Sequence, residues 1–504
     1  MRVSDAGSSQ AAHDVRPTTI SAAHLLRRRC FLRVVSAWLV GFRIRALPRV
    51  AAALACAAAT TTCIAFTGPG ALAARRRLPL AVNRRLPLTA GTPLPYGIGP
   101  ESDVPPPPAP PSTALTRLQR TLGQDLNRQG GDNSALVVDE TTDRTLWAYN
   151  DAISRLPASV EKLYTTTAAL LSFGPAQTFT TSVYGAGQLT PAGTFIGTLY
   201  LRGGGDPSFG SRNFDRVNYH AGATTQALAI DLRDAGVRRV QGAILGDESY
   251  FDSLRGGPDS GYRADLETEG SLSALAYDAG FTNLHEDALD ADPPLVATQA
   301  FAQALRQTGV SVPAGTRIAT GITPQTASLL ASEQSPTLAK LLRLTNSPSD
   351  NFFAEMLLKD LGASFAGRGT TARGAAVVRR VIRHALGLAP RLDDGSGLSR
   401  YDLTNPRQIV LLLREMESQP AFWHSLAIAG VRGTMIKEMR HTRAAGNCRG
   451  KTGTLTDVAN LVGYCRAADG DRIVFAFMMN GLTDAVAGHQ LEDLDAEALA
   501  NYRG

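Results

Sequence analysis

The stretch Pro157-Ala158-Ser159-Val160-Glu161-Lys162-Leu163 opens an apolar-periodic helix, which we expect to end at Gly174-Pro175. Three-residue spacing puts Ser159 and Lys162 on one face of that helix, one turn apart. Free backbone N–H groups and the positive dipole end at a helix start favour a developing oxyanion. A lysine with a lowered pKa can accept the hydroxyl proton, so the serine becomes a nucleophile without a histidine. Alone the pair is weak evidence, because a capping serine followed by a surface lysine gives the same pattern.

A second polar motif, Ser347-Pro348-Ser349-Asp350-Asn351, falls in a predicted loop between two helical segments. The hydroxyl of Ser349 is placed to pass a proton between a lysine amine and a leaving amide nitrogen. The side chain of Asn351 offers both a donor and an acceptor to a substrate amide. In isolation Ser-Asp-Asn is also ordinary helix-capping and turn sequence.

A third motif, Arg449-Gly450-Lys451-Thr452-Gly453-Thr454-Leu455, lies within a predicted strand. Gly450 and Gly453 lack side chains, so a substrate can lie against the backbone there. Lys451 adds positive charge, and the hydroxyls of Thr452 and Thr454 can bind a carboxylate. A glycine-flanked strand end explains most single Lys-Thr-Gly triplets, so this motif gains weight only beside the other two.

Lysine is rare in this chain, which has 51 basic residues but only five lysines: Lys162, Lys340, Lys359, Lys437 and Lys451. An arginine cannot give up its proton in a protein, whereas a lysine can when its surroundings disfavour the charge. Two of the five lysines fall inside the motifs. Chemistry that needs a neutral amine must keep a lysine at its position.

The positive charge of the chain is confined to its N-terminal region. Residues 1–111 carry 14 Arg, no Lys and four acidic residues, while the remainder is net negative by four charges. A basic groove for nucleic acid in the folded body is therefore not expected. The five Cys and eight His show no metal-ligand spacing, so we expect no metal site and no cofactor.

The N-terminal residues 1–73 have the composition of an export signal. An Arg-rich stretch precedes the 17-residue apolar run at 50–66, and Ala71-Leu72-Ala73 is typical of a cleavage site. Arginines at 75–77 oppose translocation, so an uncleaved membrane anchor is the alternative. Residues 74–112 are Pro-rich and cannot form a core, so we expect a linker there. It is either a semi-rigid extended spacer or a disordered leader without a spacing role.

The remaining chain divides by texture into three parts. Residues 113–178 alternate helix and strand, and residues 179–330 show short strands, many glycines and little helical periodicity. Helices return in residues 331–504, which close with three strands and a last helix at 490–501. We therefore expect a catalytic domain in two pieces, with a mainly β region inserted between them.

Together and in order, the three motifs resemble those of the penicillin-recognising serine hydrolases. The 190 residues between Ser159 and Ser349 are similar to the long insertion of the class C penicillin-binding proteins, which are D-Ala-D-Ala carboxypeptidases and endopeptidases. Flanking text agrees: Leu199-Tyr-Leu-Arg-Gly-Gly-Gly-Asp-Pro207, Asp394-Gly-Ser-Gly-Leu-Ser399 and Ala429-Gly-Val-Arg-Gly-Thr434. The resemblance spans about residues 112–504. It implies an α/β (α+β) fold, in which an antiparallel sheet flanked by helices lies beside a helical lobe.

By this resemblance, roles pass to the motif residues. Ser159 would be the acylated nucleophile, Lys162 the general base, and Ser349 the proton shuttle. Asn351 would hold the substrate amide, and backbone N–H groups of Ser159 and Thr454 would form the oxyanion hole. The set expected to bind the terminal carboxylate is Lys451, Thr452, Gly453 and Thr454. Glu161 is expected to be a dipole partner in the first turn of the helix, without a catalytic role.

Cys448 and Cys465 flank the third motif. If the hairpin turn centres between Thr456 and Asp457, the two cysteines lie directly opposite each other. A cross-strand disulfide is then possible in an oxidising compartment, and two buried thiols are the alternative.

The sequence thus predicts an exported enzyme on the cell-wall side, secreted or membrane-anchored. Its substrates would be peptidoglycan stem peptides ending in D-Ala-D-Ala, with β-lactams as covalent inhibitors. Nucleic acid is not an expected partner, and membrane contact is expected only through an uncleaved N-terminal segment. A β-lactamase or esterase of the same superfamily and a non-catalytic wall-binding scaffold are the alternatives.

Overall fold

The computed structural model describes residues 112–128 and 130–504. The predicted export signal at 1–73 and the linker at 74–112, apart from Ser112, lie outside these residues. Within the described part, no helix is long and apolar enough to cross a bilayer.

The described residues form two sheets surrounded by helices. The strands are β1 (Asp132–Asp139), β2 (Arg144–Tyr149), β3 (Thr180–Leu189), β4 (Thr194–Arg202), β5 (Arg239–Asp247), β6 (Arg317–Thr320), β7 (Ser328–Gln334), β8 (Ala427–Ile428), β9 (Cys448–Leu455), β10 (Val458–Arg466) and β11 (Arg472–Asn480). The helices are α1 (Thr113–Arg128), α2 (Lys162–Phe173), α3 (Arg212–Asn218), α4 (Thr225–Asp234), α5 (Pro293–Gln307), α6 (Leu338–Asn346), α7 (Asn351–Ala366), α8 (Thr371–Leu386), α9 (Pro406–Met416), α10 (Pro420–Ser425) and α11 (Ala485–Asn501).

The first sheet has six strands in the order β2-β1-β11-β10-β9-β8, and all neighbours are antiparallel. In β11 every residue after Arg472 is buried, as expected for a strand covered on both faces. Helices α1 and α11 pack against one face of this sheet and share an apolar cluster with it. Helices α2 and α9 pack against the opposite face, in a second cluster. This is the predicted sheet flanked by helices.

A helical lobe packs around α2. Every residue of this helix from Lys162 to Leu170 is buried, so it is a central helix of the lobe rather than an amphipathic surface helix. Helices α6, α7, α8, α9 and α10 contribute buried side chains to the same cluster. A helix enclosed in this way holds its polar side chains in a fixed, water-poor environment.

The segment between α2 and α6 builds the second sheet, in the order β6-β5-β4-β3-β7. Strand β3 pairs antiparallel with β4 and β7, whereas β4–β5 and β5–β6 are parallel. The connection from β4 to β5 contains α3 and α4, and the connection from β5 to β6 contains α5. This segment therefore holds three helices where the sequence indicated little helical periodicity. Helices α3 and α4 are only 7 and 10 residues long, which gives periodicity little room to show.

Strands β9 and β10 form a tight hairpin whose register runs from Leu455 opposite Val458 to Cys448 opposite Cys465. The turn therefore lies at Thr456 and Asp457. This is the turn position for which the two cysteines are expected to lie opposite each other. The sulfur atoms of Cys448 and Cys465 are joined in a disulfide. Both cysteines belong to the cluster shared with α1 and α11, on the face of the sheet away from α2.

Candidate active site

The three sequence motifs meet at one place, between β9 of the first sheet and the start of α2. Ser159 lies in a 3-10 turn, Ala158–Glu161, that runs directly into α2, so the helix proper begins three residues after the serine. Ser349 lies in the loop between α6 and α7, and Asn351 is the first residue of α7. Lys451 lies on β9 and extends its amine to Ser349.

Lys162 is the centre of the hydrogen-bond network. Its side chain is fully buried, and its Nζ lies 2.9 Å from Ser159 Oγ, 2.5 Å from Asn351 Oδ1 and 2.7 Å from the carbonyl oxygen of Ser396. An ammonium group fills these contacts with its three N–H bonds. A neutral amine fills two of them and turns its lone pair to the third, so the network accommodates both states.

The protonation of Lys162 depends on its surroundings. Burial lowers the pKa of the Lys162 amine, although the carboxylates of Glu269, Glu161 and Asp394 oppose this effect. Burial, with Asp394 and Glu355 nearby, raises the pKa of Glu161 well above its ordinary value. Protonation of Glu161 would remove its share of that opposition, because a neutral carboxyl does not stabilise a cation. The Glu161 side chain is fully buried and accepts from Thr165, so the predicted first-turn dipole partner is instead a core group.

A loop at residues 394–399 carries the Ser396 carbonyl that Lys162 contacts. Asp394 accepts hydrogen bonds from the backbone N–H groups of Gly397 and Ser399, each at 2.7 Å. Glu355 Oε1 accepts from the N–H groups of residues 395 and 396, each at 2.9 Å. Two buried carboxyl groups thus fix the loop from behind. Sequence reasoning quoted this loop only as a landmark, since a backbone carbonyl leaves no side-chain signal.

The second lysine, Lys451, is also fully buried. It donates to Ser349 Oγ at 2.8 Å and to the Thr452 carbonyl at 2.6 Å. Burial and the nearby Lys162 lower the pKa of the Lys451 amine well below its ordinary value. The hydrogen bond of Ser349 is therefore with Lys451 rather than with Lys162. Ser349 has a positive φ of 71°, an uncommon conformation for a serine.

The threonines of β9 face the more open side of the site. Thr452 Oγ1 donates to Thr434 Oγ1 at 2.9 Å, and Thr454, which is exposed, lies 2.7 Å from His489 Nε2. Strand β8 pairs only with residues 449 and 450 of β9. In the part of the chain that the structure describes, residues 451–455 therefore have no strand partner on that edge, and an extended peptide can pair there.

The structure shows that the glycines of β9 have a different role from the one inferred from the sequence. A Cβ on Gly453 would lie 2.6 Å from the carbonyl oxygen of Pro157, at the turn that carries the nucleophile motif. A Cβ on Gly450 would lie 2.2 Å from the Val462 carbonyl oxygen of the neighbouring strand. Both glycines thus permit close packing within the protein. In particular, Gly453 lets the Ser159 turn lie directly against β9.

A segment of the second-sheet region reaches the site from outside. The backbone N–H of Asn351 donates to Glu269 Oε2 at 2.8 Å, and Asn351 Nδ2 donates to the Glu267 carbonyl at 2.6 Å. Glu269 has a positive φ of 59° and lies where its charge acts on both lysines. Sequence reasoning missed this residue, because it stands in an irregular segment far from any motif.

A protein-family model matches most of the residues that the structure describes. The model of a family described as D-Ala-D-Ala carboxypeptidase 3 (S13) matches residues 116–286 and 286–502. A D-alanyl-D-alanine carboxypeptidase of Actinomadura sp. (strain R39) is 29% identical, over 77% of this chain and 86% of that protein. Carboxypeptidase DacB of Mycolicibacterium smegmatis is also 29% identical, over 68% of this chain and 75% of that protein.

The fold is similar to that of penicillin binding protein 4 from Haemophilus influenzae. The crystal structure of that protein matches with a TM-score of 0.64 and 20% sequence identity, covering 77% of this chain and 99% of that one. Another structure of the same protein, complexed with a β-lactam, matches with a TM-score of 0.61 and 21% identity, covering 76% and 99%. These matches confirm the fold class predicted from the sequence.

Proposed function

Because the chain belongs to the D-Ala-D-Ala carboxypeptidase 3 (S13) family, we propose that it removes the terminal D-alanine from peptidoglycan stem peptides ending in D-Ala-D-Ala. Family membership confirms the serine peptidase class and the resemblance to class C penicillin-binding proteins. Within that class we assign the nucleophile to Ser159. The observation that carries this assignment is the 2.9 Å contact between Ser159 Oγ and Lys162 Nζ.

Lys162 is the base that activates Ser159 in this proposal. Its neutral amine donates to Asn351 Oδ1 and to the Ser396 carbonyl, and these two bonds aim its lone pair at the serine hydroxyl. Burial lowers the pKa of the Lys162 amine, which supports a neutral form able to accept a proton. Arginine cannot perform this step, because its guanidinium does not lose its proton in a protein.

The reaction proceeds through an ester on Ser159. The serine oxygen bonds to the carbonyl carbon of the penultimate D-alanine, and the bond from that carbon to the nitrogen of the last D-alanine breaks. Lys162 takes the proton of Ser159, while the Ser349 hydroxyl gives its proton to the leaving amine and regains one from Lys451, to which it is hydrogen-bonded. Water then attacks the ester and gives a proton to Lys451 through Ser349, and Lys162 returns its proton to the released oxygen of Ser159.

The edge of β9 binds the substrate in this proposal. The extended peptide pairs with the strand edge, its terminal carboxylate lies at Lys451, Thr452 and Thr454, and the N–H groups of Ser159 and Thr454 stabilise the oxyanion. Asn351 Nδ2 exchanges its bond to the Glu267 carbonyl for one to a substrate carbonyl.

The inserted region and the N-terminal segments complete the proposal. We assign residues 113–178 and 331–504 to the catalytic domain and residues 179–330 to an insertion that covers one side of the site, as the contacts of Glu267 and Glu269 with Asn351 support. Residues 1–73 would direct export and residues 74–112 would space the enzyme from the membrane. The enzyme then acts on the cell-wall side, where its substrate lies.

The test is covalent labelling by fluorescent penicillin, combined with release of D-alanine from a peptide ending in D-Ala-D-Ala. Ser159→Ala is expected to abolish both, because no other hydroxyl is hydrogen-bonded to the Lys162 amine among the described residues. Ser154→Ala, a change at an exposed serine nearby, is the matched control and should retain both. Labelling that persists in Ser159→Ala contradicts the assignment. Penicillin turnover without release of D-alanine identifies a β-lactamase instead.

A further inference from the structure

A hydrogen-bonded chain of three side chains leads from the core to the open side of the site. Glu492 is almost fully buried in α11, with its side chain 1% exposed, and its Oε2 lies 2.9 Å from His489 Nδ1. His489 Nε2 lies 2.7 Å from Thr454 Oγ1. The His489 side chain is 30% exposed, so one end of the chain is in the core and the other faces solvent beside β9.

The protonation of His489 decides which way the Thr454 hydroxyl points. Burial raises the pKa of Glu492, and the hydrogen bond and charge of His489 oppose this rise. While Glu492 is ionised, Nδ1 carries a proton in both states of the imidazole, because a carboxylate accepts a hydrogen bond and donates none. When the imidazole is neutral, Nε2 has no proton and accepts a hydrogen bond from the Thr454 hydroxyl. When the imidazole is charged, Nε2 donates to Thr454 Oγ1, and the hydroxyl hydrogen is free to point elsewhere.

We propose that His489 is a positioning residue for the terminal carboxylate of the substrate, acting through Thr454. Charged His489 frees the Thr454 hydroxyl to donate to that carboxylate and adds a positive charge behind it. Neutral His489 draws the hydroxyl hydrogen towards itself, and the carboxylate meets an oxygen lone pair instead. This inference rests on the proposed function, which places the carboxylate at Thr454.

The charges around His489 favour its protonated form. Burial lowers the pKa of the His489 imidazole, but the hydrogen bond and charge of Glu492, with Asp493 and Glu438, outweigh it and raise the pKa above 6.5. Glu492 and Asp493 lie on α11, and Glu438 reaches the group from the segment after α10. Recognition of the carboxylate is therefore expected to be strong at low pH and to weaken as the pH rises through the pKa of His489.

The experiment compares two substrates in the full-length enzyme across pH. One is a peptide ending in D-Ala-D-Ala with a free carboxylate, and the other is the same peptide with a terminal amide. The ratio of their kcat/KM values cancels the pH dependence of Lys162, which acts on both. In the wild type, we expect the kcat/KM of the carboxylate peptide divided by that of the amide peptide to fall about tenfold as the pH rises. A tenfold change is about the contribution of one charge-assisted hydrogen bond.

Two variants assign that fall to a residue. His489→Gln keeps a polar side chain that does not titrate, so its ratio should lose the part of the fall that His489 causes. Because Lys451 also binds the carboxylate and has a lowered pKa, any remaining fall belongs to Lys451. Asp493→Asn is the control, because burial and the nearby carboxylates Glu438 and Glu492 raise the pKa of Asp493 to about 7, in the same pH range. Asp493→Asn should retain the fall but move it to lower pH, because the charge of Asp493 helps to raise the pKa of His489. A fall of wild-type size that survives in His489→Gln, or that disappears only in Asp493→Asn, overturns the inference.

The wild type alone also tests the inference, whatever the folding of the variants. A ratio that is constant with pH in an active wild-type enzyme overturns the role of His489 and leaves the proposed function standing. Absence of both D-alanine release and a penicillin adduct at every pH is the separate outcome that refutes the proposed function itself.

Discussion

The two sides of the site differ in how they are held. The inner wall, defined as Ser159, Lys162, Asn351 and the loop at 394–399, is fixed by buried carboxyl groups and by the central helix α2. The outer wall, defined as Thr452, Thr454 and His489, has one open strand edge and side chains that reach solvent. The inner wall contains the nucleophile and the base that activates it, and the outer wall contains groups that bind a charge.

This difference predicts how substitutions should divide. Changes in the inner wall should affect the chemical step, because its groups cannot be replaced by water in a closed environment. Changes in the outer wall should affect recognition by about one hydrogen bond at a time, because solvent compensates for part of each loss.

The largest effect is expected at Lys162. Lys162→Arg retains the positive charge but removes the base, so acylation by penicillin should slow on the order of a thousandfold. Stopped-flow or gel-based labelling rates measure the effect. Lys437→Arg, an exposed position, is the matched control and should label at the wild-type rate. A Lys162→Arg enzyme that labels within tenfold of the wild type would show that charge alone suffices.

A smaller effect is expected at Glu269, which accepts a hydrogen bond from Asn351 of the inner wall. The negative charge of Glu269 is the largest influence opposing the lowered pKa of Lys162. Glu269→Gln removes that charge and retains an acceptor for the Asn351 N–H, so the pKa of Lys162 should fall further. Since Lys162 acts as a neutral base, acylation increases as the pH rises through its pKa. The rising limb of the pH profile should therefore move to lower pH.

The measurement for Glu269 is the penicillin acylation rate against pH. Asp287→Asn removes a charge at an exposed position in the same segment and should leave the limb in place. A shift to higher pH in Glu269→Gln would mean that Glu269 does not act on Lys162 by its charge.

The smallest effect is on stability, and it concerns the inner wall alone. Burial and the charge of Asp394 raise the pKa of Glu355 to about 8, from 4.5. A carboxyl with a raised pKa in the folded state stabilises fully below its unfolded pKa, and this contribution is lost as the pH rises through the folded pKa. Between pH 4.5 and 8 the contribution of Glu355 to the free energy of unfolding should therefore decrease.

Glu355→Gln removes this pH dependence while retaining an acceptor for the loop N–H groups. The melting temperature of the wild type should fall between pH 5 and 8 by a few degrees more than that of the variant. Glu415→Gln, at an exposed position, is the control and should follow the wild type. Equal slopes for the wild type and Glu355→Gln would show that Glu355 is already ionised in the folded protein.

The sequence was sufficient where the signal lies in side chains at fixed spacing. The three motifs named the groups that meet at the site, and the three closing strands predicted within residues 331–504 are present. The hairpin register could be anticipated because a tight turn fixes which residues lie opposite each other. That register places Cys448 opposite Cys465.

The remainder of the site depends on contacts that the sequence does not display. The Ser396 carbonyl is a backbone atom, and Glu269 comes from an irregular segment folded back over Asn351. The last helix was expected at residues 490–501, which left His489 outside it. It begins at Ala485 because Asp484 caps it by accepting from two backbone N–H groups, and the longer helix carries His489 to Thr454.

The unpaired edge of β9 has a further consequence for the behaviour of the protein in solution. A free strand edge attracts other strands, including those of neighbouring molecules, and long edges of this kind promote aggregation. Here the two-residue strand β8 covers the beginning of β9 and leaves only residues 451–455 open. The open edge of β9 is therefore long enough to pair with a short peptide but too short to promote aggregation by strand pairing.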